Sequence, residues 1–269
     1  MIRALRRAAL GALALATVAL PAGAQDAQAI LRRVEQSYRA LSSYTQTIGT
    51  TATTRVGKVN RTQGFQSRLK YVRPNRMLLT ITTPAAGTVT VACDGKQIIL
   101  HRSLTGQFVR RAAAPDLAGV LKSLGRLGIG SEMDPLYFLA NPSAVRRLMS
   151  AKIVGSRAIA GQPCQLVRAK WVSTSLLRGK TGTITLAVEK ATGLVRRVEM
   201  EFRGVPVTIV ERDTRGAKPA VTRRKGTLTR TVTITAQEVK ANPRLSERDL
   251  RFSPPPGSVE ARPAPGARP

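Results

Sequence analysis

Cysteine, histidine and acidic side chains are scarce in this chain, and each shortage closes off a chemistry. There are two cysteines, Cys93 and Cys164, and one histidine, His101. Three such ligands cannot complete the four-coordinate cage of a structural zinc site. His101 has no general-base partner at a recognisable spacing, and Ser173 and Ser175 lie in no nucleophile elbow. Neither a phosphate loop nor a dinucleotide fingerprint is present. Glu132 and Asp134 stand close together, but Pro135 follows, and Asp134 reads as a helix cap. The expectation is therefore no enzyme and no cofactor. Both cysteines sit in apolar, strand-like sequence and read as buried free thiols, although an oxidising compartment would permit a disulfide. Aromatics are only 4%, so the core must be built from the Leu, Val, Ile and Ala within the 42% apolar fraction.

The shortage of acid leaves 15 Asp+Glu against 44 Lys+Arg, a formal charge of +29. Such a field attracts polyanions, and which polyanion depends on the compartment. Arg3, Arg6 and Arg7 are followed by an apolar run over residues 8–20, then by Pro21-Ala22-Gly23-Ala24. A basic head, a short apolar middle and a small-residue exit predict a secretory signal peptide over residues 1–24, cleaved after Ala24. The run is thirteen residues, short of the ~20 that a spanning helix needs. No cysteine lies near the cleavage point, so no lipid anchor is expected. The expected location is the periplasm, where the polyanions are lipid head groups, lipopolysaccharide and cell-wall polymers. The basic residues are scattered and not interleaved with aromatics, so no nucleic acid is expected. An arginine-rich composition decorating a solvated surface would give the same charge.

Hydrophobic periodicity divides the remainder. From Asp26, residues Ile30, Leu31, Val34, Tyr38 and Leu41 recur at helical spacing, which leaves Arg32, Arg33, Glu35 and Gln36 for solvent. From Tyr44 the period becomes two, with β-branched composition and turns at Gly57-Lys58, Asp94-Gly95 and Thr192-Gly193. A helical interlude spans residues 115–150. It holds Leu117, Val120, Leu121, Leu124 and Leu127 on one face, then short pieces at 136–140 and 143–149. Residues 211–227 are basic and polar and predict a mobile loop, and 228–237 predicts the last strand. Residues 258–269 are rich in proline and predict a disordered tail. One domain over residues 25–257 follows: mainly β with α, about ten to eleven antiparallel strands, an N-terminal helix and a helical cover. A sheet of that size must curl, split or close. A curved half-barrel under a helical lid satisfies this.

Five segments carry a resemblance. They are Leu41-Ser42-Ser43-Tyr44 after the helix; Leu69-Lys70-Tyr71-Val72-Arg73-Pro74-Asn75-Arg76; Asp94-Gly95-Lys96; the hairpin at 188–198; and Phe252-Ser253-Pro254-Pro255-Pro256-Gly257. In order and spacing the chain resembles the outer-membrane lipoprotein carrier (LolA/LolB-like) superfamily. Its greater length, the basic 212–226 insertion and its charge point to a divergent periplasmic branch. The resemblance implies a half-open antiparallel barrel of about eleven strands that binds acyl chains without catalysis. It also implies that Arg73 bonds backbone carbonyls of a lid and holds it closed until cargo binds.

The period-two positions Phe65, Leu69, Met77, Leu79, Ile81, Val89, Val91, Ile98, Leu100, Met200 and Phe202 become candidates for the apolar concavity. Arg73, Leu117, Leu121, Leu124, Tyr137 and Phe138 become candidates for the lid and its switch. The expected function is a periplasmic lipid- or lipoprotein-binding protein, a monomeric carrier or chaperone whose basic surface docks on anionic membrane. Two alternatives remain open: a lipid-sensing regulatory domain acting through a protein partner, and a basic polyanion-binding envelope protein without a cavity.

Overall fold

The computed structural model describes residues 22–85, 87–125, 135–173, 177, 179–213 and 220–261. Most of the expected leader lies outside these residues, as do Leu127, Glu132, Asp134, Ser175 and the end of the tail.

Among the described residues, alternating β-branched and apolar residues form twelve strands: β1 (Ser43–Val56), β2 (Val59–Val72), β3 (Arg76–Thr83), β4 (Gly87–Cys93), β5 (Gln97–Arg102), β6 (Gln107–Ala112), β7 (Met149–Ile159), β8 (Gln162–Val172), β9 (Thr181–Glu189), β10 (Val195–Asp213), β11 (Ala220–Ala241) and β12 (Val259–Glu260). They make one sheet in the order β12-β6-β5-β4-β3-β2-β1-β11-β10-β9-β8-β7. Two meanders of hairpins meet at its centre, where the antiparallel β1–β11 pair joins the first long strand to the last. The two ends, β12 and β7, do not pair with each other, so the sheet curls without closing. This is the half-barrel that the sequence reading and the resemblance implied.

Helix α1 (Ala22–Arg39) starts four residues before Asp26. Its stripe of Ala27, Leu31, Val34 and Tyr38 is at most 2% exposed. It rests on the β9–β10 turn, where Arg33 Nη2 donates to the Ala191 carbonyl at 2.8 Å and Ser37 Oγ to that of Thr192 at 2.7 Å. Gly193 permits this approach. A Cβ there would come within 2.5 Å of Ser37 Oγ, and its φ of +73° is left-handed. Glu35 is the exception to the amphipathic reading of α1: it is 4% exposed, not solvated. Helix periodicity locates one buried stripe but not a second contact made by a neighbouring element.

Helices α2 (Leu117–Gly125) and α3 (Pro135–Ala140) and a 3-10 segment (Pro142–Arg147) form the rest of the cover. The 3-10 segment replaces an expected helical piece at 143–149. Its backbone bonds run Ala144 N–H to Asn141 O and Leu148 N–H to Val145 O, the tighter spacing that a single short turn adopts.

The hairpin of β10 and β11 runs far into the segment that composition marks as a loop. Pairing continues to Asp213 opposite Ala220, and residues 214–219 lie outside the described residues. Val and Thr within that stretch favour extended backbone. Beyond β11, Ser246 and Asp249 form a capping box for the short helix α4 (Glu247–Leu250). The chain then crosses the sheet end. Val259 and Glu260, within the expected tail, lie parallel to Gln107 and Phe108 of β6. Cys93 and Cys164 are both buried and free.

Candidate functional site

Strand register arranges the concave-face candidates in rows. Tyr71, Met77, Cys93 and Ile98 stand opposite one another across β2–β5, and Leu69, Leu79, Val91 and Leu100 form the next row. The third row is Ser67, Ile81, Val89 and Arg102. Directly opposed residues project on the same face, so each row is one layer of the concavity. The first two rows are at most 4% exposed. They share one hydrophobic core with Met200 and Phe202 and with Leu117, Leu124 and Phe138 of the cover. The Phe138 ring lies 6.0 Å from that of Tyr38, which lies 6.2 Å from that of Tyr44. The concavity is thus occupied by the cover's own side chains along these rows.

Farther along the strands the cover thins. Ile81 and Val89 are half-buried against the core, as are Leu228 and Val232 of β11, and Phe65 is half-buried. Leu121 and Tyr137 of the cover are half-buried too. Of the eleven concavity candidates, eight are therefore buried and three are half-buried.

Arg73 follows β2 and reaches α1. Its Nη2 donates to the carbonyls of Tyr38 at 3.0 Å and Arg39 at 3.1 Å, and its Nε donates to that of Leu41. The last carbonyls of a helix have no partner within it and carry partial negative charge. A planar cationic fork suits them. Two of these bonds go to the last residues of α1 and one to Leu41 just beyond it, none to α2 or α3.

Asn75 is the residue that sequence reasoning missed. Its side chain is 3% exposed, and Nδ2 donates to the carbonyls of Gly95 at 3.1 Å and Ala114 at 2.6 Å. It therefore ties the β4–β5 turn to the segment that enters α2. The signal was its place in the Arg73-Pro74-Asn75 string. What it would bond depends on residues far away in sequence.

Glu35 joins α1 to the 3-10 segment. Its carboxylate accepts from Arg146 Nε at 2.8 Å and from Arg39 Nη2 at 2.7 Å. The Arg146 hydrogen bond, opposed by burial and helped by Arg39, holds its pKa below the usual 4.5. A lowered folded-state pKa gives stability that is present above the unfolded value and lost as pH falls through the folded one. The urea midpoint should therefore drop as pH falls below about 4.5, and less steeply in Glu35→Gln. Equal slopes in the two proteins would remove Glu35 from the acid response.

His101 is 6% exposed under the C-terminal crossing, with Nε2 3.3 Å from Ser258 Oγ and its ring 5.8 Å from Phe252. Among the described residues no group of three His, Cys, Asp or Glu could hold a metal ion. No described helix is long and apolar enough to cross a membrane.

Residues 27–201, which run from α1 into β10, match the model of a family described as "Predicted periplasmic protein (DUF2092)". The chain belongs to this family. It is a periplasmic protein. No curated protein matches it. Among solved structures, the lipoprotein LppX of Mycobacterium tuberculosis is similar at 12% identity and a TM-score of 0.48, over 82% of this chain and 98% of that one. LprF of Mycobacterium bovis is similar at 12% identity and 0.44, over 87% and 98%. A LolA superfamily protein of Nitrosomonas europaea is similar at 9% identity and 0.33, over 84% and 97%.

Proposed function

We propose that this periplasmic protein binds acyl chains on the concave face of its sheet, as a carrier or chaperone of lipid or lipoprotein. The observation that carries the reading is the margin at Phe65, Ile81, Val89, Leu228 and Val232. There the apolar inner face continues beyond full coverage. An acyl chain entering at this margin continues the same strand rows and displaces α2 and α3 from Leu69, Leu79, Val91 and Leu100. Helix α1 stays in place, because Arg73, Arg33, Ser37 and Glu35 tie it to three separate parts of the fold. The lid is then α2 with α3, and Arg73 anchors the helix beside it.

Binding energy on this reading comes from apolar burial, at about 0.8 kcal/mol per CH₂. Competition against a fluorescent fatty acid should show one saturable site. Each step from dodecanoate to tetradecanoate to hexadecanoate should tighten binding about tenfold. Ile81→Trp, which fills the margin, should weaken all three. Absence of saturable binding, or affinity independent of chain length, would reject the proposal.

A further inference from the structure

The inner face of β11 presents Ala236, Ile234, Val232, Arg230 and Leu228 in succession. One cation interrupts an apolar row. Arg230 stands opposite Phe202 on β10 and Thr54 on β1, and Thr54 in turn stands opposite Arg61 on β2. Because opposed residues share a face, both arginines lie on the concave side. Two strand spacings, about 10 Å, separate their backbones. Phe202 beside Arg230 belongs to the core, its ring 4.8 Å from that of Trp171.

Arg230 is half-buried. Burial pulls its guanidinium below the usual arginine value. Among the described residues no carboxylate pairs with Arg230 or Arg61. Glu199 and Glu201 on β10 face the other side of the sheet, where they pair with Arg197 and Arg203 at 2.8 and 2.7 Å. A partly desolvated cation without a counter-charge costs free energy, and that cost is relieved when an anion arrives.

We propose that Arg230, with Arg61 at the rim, binds the anionic head of an amphiphile, a phosphate or carboxylate, while its acyl chain lies along the concave face. From Arg230 to Ala236 the strand offers about 20 Å of otherwise apolar inner face leading under the cover. A guanidinium fork grips either oxyanion with two parallel hydrogen bonds. The inference rests on the acyl-chain reading above and adds polarity to it: head at the open margin, tail beneath the lid.

The test compares hexadecanoate with the uncharged alcohol of the same chain length, using the full chain at low salt. The wild type should bind hexadecanoate at least tenfold more tightly. Arg230→Gln should lose about tenfold for hexadecanoate and leave the alcohol unchanged, whereas Arg230→Lys should keep part of the preference. Arg61→Gln should show a smaller loss, and no loss removes Arg61 from the site. Equal affinity of the wild type for both ligands, or an undiminished preference in Arg230→Gln, overturns the head-group assignment and leaves acyl binding standing. Binding of neither ligand overturns both. Inorganic phosphate should displace hexadecanoate only at far higher concentration; displacement at matching concentration would mark a free-anion site instead.

Discussion

Glu189→Ala is expected to lower the unfolding free energy by about 3–5 kcal/mol. Glu189 Oε2 accepts from Arg196 Nε at 2.9 Å, Arg196 Nη2 at 2.8 Å and Thr192 Oγ1 at 2.6 Å. The two side chains are only 5% and 10% exposed. Truncation leaves a guanidinium buried without its anion, which costs far more than the pair contributes when intact. The position amplifies the damage. Thr192 is also the residue whose carbonyl receives Ser37 of α1, so a disturbed turn unseats the helix. Urea unfolding measures the loss. The double substitution Glu189→Leu with Arg196→Met should cost much less than Glu189→Ala alone, because no orphaned charge remains. A loss below about 1 kcal/mol for the single variant would mean that water reaches the pair.

Asn75→Ala is expected to cost about 2–3 kcal/mol, because two partly buried carbonyls lose their shared donor. Gly95 O and Ala114 O lie 3.1 and 2.6 Å from Nδ2, so the amide reinforces the backbone bond from Ala113 N–H to Lys96 O that already joins the two segments. Asn75→Asp should be at least as harmful, since it directs carboxylate oxygen at two carbonyl oxygens. Beyond the global loss, amide exchange should accelerate at the β4–β5 turn and at the entry to α2 before it does in β8 or β9. On the acyl-chain reading the same variant should also release ligand faster, since the lid is hinged at Ala114. Uniform acceleration over the whole sheet would show that Asn75 supports the fold generally and not the hinge.

The legible parts of this protein were those set by near neighbours. Period-two alternation placed Leu69, Leu79, Val91 and Leu100 on one face, and the structure puts them in one row. The Asp94-Gly95 turn was readable because Asp94 Oδ1 accepts the amides of Lys96 and Gln97 within three residues. The stripe of α1 was readable for the same reason. Glu35 was misread because its partner Arg146 lies in another element, 111 positions away. Residues 211–227 were misread as a loop because arginine content is a local cue, whereas pairing of β10 with β11 continues through most of that stretch.

The candidate site divides in the same way. Its apolar residues and Arg73 could be named from sequence pattern and resemblance. Which of them the helices cover, and which stay at the margin, could not. Arg230 sits in a Thr-Arg-Thr run that reads as a solvated strand. Only its register with Phe202 and Thr54 turns it toward the concavity. The sequence by itself determined the alternation, the turns and the compartment, because these depend on chemistry within a few residues. The tertiary structure alone decided the joining of β1 to β11, the seating of α1 and the face of the sheet on which Arg230 lies. Register and curvature arise from contacts between segments far apart in the chain, and no local pattern encodes them.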